Sequence, residues 1–222
     1  MIKYPKIETL YNRNKETHFV TDEVRCPEFE NINKWLVTEK IDGMNIRICY
    51  ESLGVDRISG SIRGRTDNAQ LPGKLFDFLK EKFTLDTFKV IIGDKPKPDK
   101  MILFGEGYGA KIQKGGGDYC SGNSFRLFDV WIDGYWLEWD SVEHIADLIG
   151  IKTAPVIMET TVENAVDLIT RIKNSSEVAL IENRTWKQIE GIVARAYPMV
   201  LFRNGNPVKW KLKYSDYNRS NK

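Results

Sequence analysis

Segments with the pattern of β-strands stand at both ends of this chain, and its helical patterns lie between them. Residues 35–40 and 45–50 form an early pair, in which the second segment alternates polar and apolar side chains as a half-buried strand does. Late strand patterns occupy 191–196 and 209–213. Because strands precede and follow the helices and neighbouring strands carry hairpin signals, the sequence predicts an α+β fold with antiparallel sheets flanked by helices. The remaining predicted elements are strands at 57–65, 101–105 and 125–132, and helices near 31–35 and at 71–83, 140–149 and 162–173.

The composition is that of a globular protein. The 222 residues suit one large domain or two small ones, and we predict a single domain over 1–222. Apolar residues make up 41% and charged residues 29% of the chain, so it can bury a core without disulfides or metals. The formal net charge is only +2, from 33 basic and 31 acidic residues. A surface that binds nucleic acid must therefore be a local basic patch.

Cysteine and histidine are sparse. The three cysteines, Cys26, Cys49 and Cys120, lie far apart without Cys-x-x-Cys spacing, and only His18 and His144 could join them. This argues against a zinc site and against a disulfide scaffold, and it makes a reducing, cytoplasmic compartment the expectation. No run approaches the ~20 apolar residues of a membrane-spanning helix, and the N-terminus lacks the apolar core of a signal peptide. We expect a monomer with no membrane partner.

Lys40 stands where the strand at 35–40 meets the turn Asp42-Gly43. A lysine held rigidly at a strand end is a candidate covalent nucleophile, although a lysine before such a turn is more often a solvated turn residue. An amine attacks only in its neutral form, and an unperturbed lysine is almost entirely protonated near neutral pH. Cations of the strand at 209–213, folded back near Lys40, would favour the neutral form and would also neutralise phosphate groups.

Five further segments follow Lys40 in order. They are Arg63-Gly64-Arg65-Thr66, Phe104-Gly105-Glu106-Gly107-Tyr108-Gly109, Phe125-Arg126-Leu127-Phe128-Asp129-Val130, Glu190-Gly191-Ile192-Val193 and Val208-Lys209-Trp210-Lys211-Leu212-Lys213. With Lys40-Ile41-Asp42-Gly43, this set resembles the ordered motifs of the covalent nucleotidyltransferase superfamily, which contains ATP-dependent DNA ligases, RNA ligases and mRNA capping enzymes. The resemblance covers nearly the whole chain.

Within that superfamily, the chain looks closest to the RNA ligase 2 type of phages. The motif Lys-x-Asp-Gly-x-Asn places Asn45 at the position that this group uses for RNA sealing. Asp42 departs toward the DNA ligase pattern, since members of the group often have His there. The string from Gly105-Glu106 through Ile112-Gln113-Lys114 and Asp118-Tyr119 to Phe128-Asp129 resembles the group's third motif and its continuation.

The resemblance implies a nucleotidyltransferase domain, the ATP-grasp-like ligase adenylation fold without an OB domain, that uses ATP with Mg²⁺ or Mn²⁺. Lys40 would take up AMP as lysyl-AMP and pass it to the 5′-phosphate of RNA, which a 3′-hydroxyl then seals. The other implied roles concern the nucleotide or its metal: Glu39, through its backbone or carboxylate, would help place the adenosine, Asn45 would belong to the nucleotide site, Arg65 (and more weakly Arg63) would hold ribose or phosphate, Glu106 would contact the ribose hydroxyls, Phe128 would stack on adenine, and Glu190 would hold the metal.

Two features stay open at this point. The lysines of the last strand that would contact the α-phosphate are either Lys209 and Lys211 or Lys211 and Lys213, so Lys211 belongs to both pairs. The glycine-rich loop Gly115-Gly116-Gly117, with the lysines before it, either cradles phosphate or is a mobile loop without a chemical role.

The substrate and the extent of the protein are also open. The leading hypothesis is an RNA ligase, acting at ends or at nicks in duplex RNA or RNA–DNA hybrids. A small DNA nick ligase is the nearest alternative, a capping guanylyltransferase fits less well, and a catalytically dead module that binds nucleic-acid ends is the alternative from another class. The chain ends nine residues after Lys213, which fits a minimal ligase or a domain of a longer protein, and the polar tail at 216–222 slightly favours the former. A lone domain would grip nucleic acid through phosphate contacts, so we expect weak, salt-sensitive binding.

Overall fold

The computed structural model describes residues 2–54, 57–171 and 175–216, and the chain divides into two compact units. Unit 1 consists of Met1–Tyr4 and Asp42–Thr153, and unit 2 of Pro5–Ile41 and Ala154–Lys222. Most of the polar tail and the last two residues of the helix predicted at 162–173 lie outside the described residues. In the described ranges, no helix combines the length and the apolar character needed to cross a membrane.

The secondary structure is mixed, with helices inserted among strands. In chain order the strands are β1 (Glu8–Thr9), β2 (Tyr11–Arg13), β3 (Val20–Val24), β4 (Trp35–Lys40), β5 (Met44–Ser52), β6 (Ile58–Gly64), β7 (Lys100–Gly109), β8 (Asn123–Ile132), β9 (Tyr135–Trp136), β10 (Lys152–Thr153), β11 (Val156–Thr160), β12 (Gly191–Ala196) and β13 (Lys209–Lys213). The helices are α1 (Gly73–Lys82), α2 (Leu85–Ile92), α3 (Trp139–Leu148), α4 (Val162–Arg171) and α5 (Glu177–Ile181), with short 3₁₀ helices at Pro27–Asn31 and Gly116–Asp118.

Unit 1 is built on one sheet in the order β10-β8-β7-β5-β6, with β9 paired to β8. All neighbours are antiparallel except β10 and β8. Helices cover one face, where Phe88 of α2 packs on Tyr50 with ring centroids 4.9 Å apart. Because side chains alternate along a strand, Asn45, Arg47 and Cys49 of β5 point to the other face.

Unit 2 is built on a five-stranded sheet in the order β1-β13-β12-β4-β11, beside the small hairpin of β2 and β3. The central strand β12 runs antiparallel to both β4 and β13. One face of this sheet forms the core of the unit. Its fully buried side chains are contributed by β4 (Trp35, Val37), β12 (Ile192, Ala194), β13 (Trp210, Leu212) and α4 (Ala165, Ile169).

The α+β fold with antiparallel sheets is confirmed. Predicted strands at 35–40, 191–196 and 209–213 coincide with β4, β12 and β13. The predicted strand at 101–105 is too short, because glycines that suggested its end lie inside β7. A Cβ atom on Gly107 would come within 2.8 Å of the Leu75 side chain, so this glycine marks a close approach of α1 and not a turn.

Three helical segments differ from the sequence prediction. The short helix predicted near 31–35 is wrong, since the 3₁₀ helix ends at Asn31 and Trp35 already pairs with Ala196 in the sheet. The segment of α2 was not predicted, although Thr84 and Thr87 form a capping box at its start. The five-residue helix α5 was also missed, because so short a segment has no helical periodicity to detect.

The core of unit 2 can be tested with two leucines. We expect Leu212→Ala to lower the free energy of unfolding by about 2–5 kcal/mol, because Leu212 is fully buried beneath the sheet. Leu201→Ala removes the same atoms from a side chain that is 52% exposed, and we expect a change within about 0.5 kcal/mol. Urea unfolding followed by circular dichroism measures both values. Equal losses for the two variants would contradict this assignment of the core.

Candidate active site

Lys40 and Glu190 form an ion pair at one end of the unit 2 sheet. The Nζ atom of Lys40 lies 2.6 Å from Oε2 of Glu190. The sheet register explains the contact, since Lys40 is the last residue of β4 and pairs with Gly191, the residue after Glu190. Both side chains are mostly buried, with exposed fractions of 21% for Lys40 and 16% for Glu190. The predicted nucleophile and the predicted metal ligand are therefore brought together.

Lys213 completes this cluster from the other side of β12. Its Nζ atom lies 2.8 Å from Oε1 of Glu190, so the two oxygens of one carboxylate each contact a different ammonium group. Gly191 pairs with Lys213 as well as with Lys40. A Cβ atom at Gly191 would come within 2.2 Å of the Leu212 carbonyl oxygen, so only glycine permits this close pairing. We call Lys40, Glu190 and Lys213 the lysine–glutamate cluster.

The three lysines of β13 alternate with Trp210 and Leu212, so all three lie on the face of the sheet opposite the core. Lys213 is level with Lys40, Lys211 is level with Thr38, and Lys209 is level with Leu36. Lys209 is thus about 13 Å along the strand from Lys213, at ~3.3 Å for each residue. Lys211 and Lys213 are the lysines of β13 nearest to Lys40. This favours them, and not Lys209 with Lys211, as the pair that would contact the α-phosphate.

Glu190 offers a metal ion a single carboxylate. The described part of the chain contains no group of three or more acidic, His or Cys side chains that could hold a metal. Mg²⁺ is commonly bound by one or two carboxylates together with substrate phosphates, so one carboxylate fits an ion that arrives with a nucleotide. Glu190 is the residue of the lysine–glutamate cluster that would hold it.

Glu39 points away from this cluster. Its side chain is only 2% exposed and lies on the core face of the sheet. The carboxylate accepts a 2.5 Å hydrogen bond from the Ser176 hydroxyl and a 3.1 Å hydrogen bond from the Val178 backbone N–H. The role of Glu39 toward adenosine stays a prediction, and its carboxylate is already bound within unit 2.

In unit 1, Asn45 and Glu106 are direct neighbours. Asn45 of β5 pairs with Glu106 of β7, which pairs in turn with Arg126 of β8. The Oδ1 atom of Asn45 is buried and has no hydrogen-bond partner among the described residues. A buried oxygen without a partner costs free energy, and the predicted place of Asn45 in the nucleotide site stays a prediction.

Phe128 lies at a bulge of β8 and is half-buried. Tyr4 packs edge-on against it, with ring centroids 5.0 Å apart. The Tyr4 hydroxyl donates a hydrogen bond of 2.5 Å to Asp129, which is fully buried and has a structural role here. Tyr4 was not found by the sequence analysis, because a single aromatic residue near the N-terminus belongs to no motif. Adenine stacking on Phe128 stays a prediction.

The arginines of β5, of β6 and of the residues just after β6 differ in their surroundings. Arg65 is exposed and makes no hydrogen bond or ion pair among the described residues. Its role toward ribose or phosphate stays a prediction. Arg63 lines a cavity of about 300 Å³ together with side chains that include Cys49 and Lys100. Arg47 is fully buried and donates hydrogen bonds to the Gly64 carbonyl and to the Asp67 carboxylate. The hydrogen bond to Asp67 lowers the pKa of the Asp67 carboxyl.

The glycine-rich segment of unit 1 holds the turn that follows Lys40. The Asp42 N–H donates to the Tyr119 hydroxyl, and Gln113 Nε2 donates to the Gly43 carbonyl, each at 3.1 Å. A Cβ atom on Gly43 would lie 2.3 Å from the Gly107 carbonyl oxygen, so the turn requires glycine. These contacts give the segment a structural role that the sequence analysis missed, and its role in binding phosphate stays a prediction.

The family resemblance predicts that Lys40 takes up AMP. The rate of this uptake can show whether Lys209 or Lys213 acts together with Lys211. We expect Lys211→Ala and Lys213→Ala each to slow this uptake by roughly 10²–10³-fold, because each removes a cation near the reacting phosphate. Lys209→Ala should have the smaller effect, because Lys209 lies farthest from Lys40. Intact-mass spectrometry over time gives the three rates. A severe loss for Lys209→Ala with no loss for Lys213→Ala would support the other pair.

Comparison with known proteins gives an independent result. A family model described as RNA ligase matches residues 33–211. Among solved structures, Naegleria gruberi RNA ligase with pyrophosphate is similar, with a TM-score of 0.64 and 16% identity over 99% of this chain and 58% of that one. A mutant of that enzyme with ATP and manganese has a TM-score of 0.65 at 16% identity, again over 99% and 58% of the two chains. Another mutant, with AMP and manganese, has a TM-score of 0.61 at 17% identity over 98% and 63%.

At this level of identity, the structural likeness establishes the fold. The chain spans 58% of the length of the first two of these structures. A search of curated protein sequences finds no significant match. The family match covers most of the chain, including the predicted nucleophile, the predicted metal ligand and two of the three lysines of β13. On this ground, the chain belongs to the RNA ligase family.

Proposed function

We propose that this chain is an ATP-dependent RNA ligase that joins 3′-OH and 5′-phosphate ends through a lysyl-AMP intermediate and an adenylated 5′ end. The observation that carries the proposal is the lysine–glutamate cluster, in which Lys40 lies 2.6 Å from Glu190, within a member of the RNA ligase family. We also propose that residues 1–222 form a single nucleotidyltransferase domain that acts as a monomer in the cytoplasm.

The first step forms a bond between Lys40 Nζ and the α-phosphorus of ATP and breaks the bond to pyrophosphate. The amine must first lose a proton, and Glu190 lies within hydrogen-bond distance to accept one. Lys213 and Lys211 neutralise the charge that develops on the α-phosphate and on the departing pyrophosphate. Glu190 is the residue that would hold Mg²⁺ or Mn²⁺, and the ion would supply positive charge that offsets the charge of the phosphates.

The next two steps use the same cluster on nucleic acid. A 5′-phosphate oxygen attacks the phosphorus of lysyl-AMP, which frees Lys40 and leaves an adenylated end. A 3′-hydroxyl then attacks the 5′-phosphorus, and AMP departs. We propose that Asn45 serves this sealing step, because it stands at the motif position that the phage RNA ligase 2 group uses for RNA sealing.

The remaining roles are carried over from the family resemblance. We propose that Glu106 contacts the ribose hydroxyls, that Phe128 stacks on adenine, and that Arg65 holds ribose or phosphate. The complexes of the Naegleria enzyme with ATP or AMP and manganese support ATP as the nucleotide and Mg²⁺ or Mn²⁺ as the metal.

We propose RNA as the substrate, at nicks in duplex RNA or RNA–DNA hybrids. The family match supports RNA, whereas Asp42 keeps a DNA nick ligase as the second candidate, because aspartate at this position resembles the DNA ligase pattern. A catalytically dead binding module is disfavoured, since such a module would have no use for a lysine held against a carboxylate between two strands.

Covalent uptake of AMP is the decisive test of the chemistry. Protein first stripped with pyrophosphate should gain the mass of one AMP in ATP and Mg²⁺, because Lys40 retains the nucleotide as a phosphoramidate. Lys40→Ala is the matched control and should gain nothing. Intact-mass spectrometry records both, and GTP in place of ATP tests for a capping guanylyltransferase. No mass gain in the unmodified protein would reject the proposal for this chain.

Sealing assays decide the substrate. On matched nicked duplexes with RNA or DNA at the 3′-OH and 5′-phosphate strands, we expect faster sealing of RNA, resolved on denaturing gels. The rate should fall as salt rises from about 50 to 200 mM, because phosphate contacts release counterions. Preferential sealing of the all-DNA nick would replace RNA with DNA as the substrate, and a rate independent of salt would contradict binding through phosphates.

A further inference from the structure

Glu39 occupies a position that the pattern of β4 reserves for an apolar side chain. The side chains of β4 that face the core are those of Trp35, Val37 and Glu39. All three are buried, with exposed fractions of 0%, 0% and 2%. Burying a carboxylate costs several kcal/mol unless its oxygens receive hydrogen bonds. The buried carboxylate of Glu39 is therefore expected to receive hydrogen bonds, and the structure shows which groups donate them.

Those partners are the first residues of α5. Oε1 of Glu39 accepts from the Ser176 hydroxyl at 2.5 Å, and Oε2 accepts from the Val178 N–H at 3.1 Å. Ser176 is fully buried and caps the same helix, because its Oγ accepts from the Ala179 N–H at 3.1 Å. Ser176 thus donates its one hydroxyl proton to Glu39 while accepting from the helix, a pairing that matches the capacity of a hydroxyl group. Glu39 and Ser176 together satisfy two N–H groups that the helix itself cannot use.

The segment that starts at this cap ends at the lysine–glutamate cluster. The Ser176 N–H donates to the Lys187 carbonyl at 2.8 Å, which ties the start of the segment to a point three residues before Glu190. Ile189 is 2% exposed in the core, and the Glu190 carbonyl accepts from the Tyr214 N–H at 2.9 Å. The segment from Ser176 to Glu190 is therefore held by hydrogen bonds at both ends. At its start, the partner is Glu39, the residue that precedes Lys40.

We propose that Glu39 is a positioning residue that sets the distance between Lys40 and Glu190 through Ser176 and α5. The carboxylate and Lys40 lie on opposite faces of the sheet, because adjacent residues of a strand alternate. From the core face, Glu39 fixes the segment that leads to Glu190, and Glu190 contacts Lys40 on the opposite face of the sheet. This inference rests on the proposed function, since the distance matters for adenylation only if Lys40 receives AMP.

The test separates positioning from nucleotide binding. Single-turnover adenylation, followed by intact mass at several ATP concentrations, gives a maximal rate and a half-saturating ATP concentration. We expect Glu39→Ala to lower the maximal rate by roughly 10–100-fold with the half-saturating concentration within about twofold, as for residues that orient a reacting group. Glu39→Gln should retain more activity, because its amide oxygen still accepts from Val178. Ser176→Ala should resemble Glu39→Gln.

Two further variants sharpen the result. Glu39→Gln combined with Ser176→Ala should be no slower than the slower single variant, because both changes break the same link. Glu177→Gln is the matched control, since Glu177 is an exposed glutamate at the first position of α5, and it should behave as the unmodified protein. Assays run below the melting temperature of every variant keep unfolding from being read as lost positioning.

Two outcomes would overturn the inference. If Glu39→Gln raises the half-saturating ATP concentration at an unchanged maximal rate, while Ser176→Ala changes neither, the carboxylate binds nucleotide. If both variants match the unmodified protein, the link has no part in the reaction. Failure of the proposed function looks different, because then the unmodified protein and Glu177→Gln would themselves take up no AMP.

Discussion

The pairing of β12 between β4 and β13 is the constraint on which the rest of unit 2 depends. It places Gly191 opposite Lys40 on one side and Lys213 on the other, and it brings Glu190 between the two lysines. A shift of one residue in either pairing would turn the lysine of that strand to the core face, because side chains alternate along strands. The buried tryptophans and leucines on the opposite face prevent such a shift, so the packing of the core also fixes the geometry of the lysine–glutamate cluster.

The two faces of the unit 2 sheet carry different kinds of side chain. Its core face needs apolar volume, which Trp35, Val37 and Trp210 supply. Its other face carries the lysines, whose charges are unfavourable near each other unless an acid or an anion lies between them. Glu190 serves two of them, and a polyphosphate suits the row as a whole because its charge is spread over several groups. These three lysines are a local concentration of positive charge in a chain whose net charge is only +2.

Much of this arrangement could be predicted from the sequence, for a physical reason. The strands β4, β12 and β13 were predicted with the bounds that the structure has, because β4 and β12 are short runs rich in apolar residues, and in β13 the lysines alternate with Trp210 and Leu212. What the sequence did not reveal depends on tertiary contacts. Tyr4 contacts Phe128, which is more than a hundred residues away in the chain, and the first turn of α5 donates a hydrogen bond to Glu39 of β4. The glycines of β7 read as turns because their neighbours in space cannot be seen in a single sequence.

Motif-based assignment has a specific weakness where two neighbouring residues of a strand are both given a role. Glu39 and Lys40 are adjacent in the motif, yet alternation sends their side chains to opposite faces, so the two side chains cannot line the same pocket from one regular strand. The hydrogen bonds from Ser176 and Val178 show where the glutamate is engaged instead. A role of Glu39 toward adenosine, which stays a prediction, would then have to come from its backbone atoms. In the positioning role that we propose, this glutamate acts through the fold, by holding the segment that ends in Glu190.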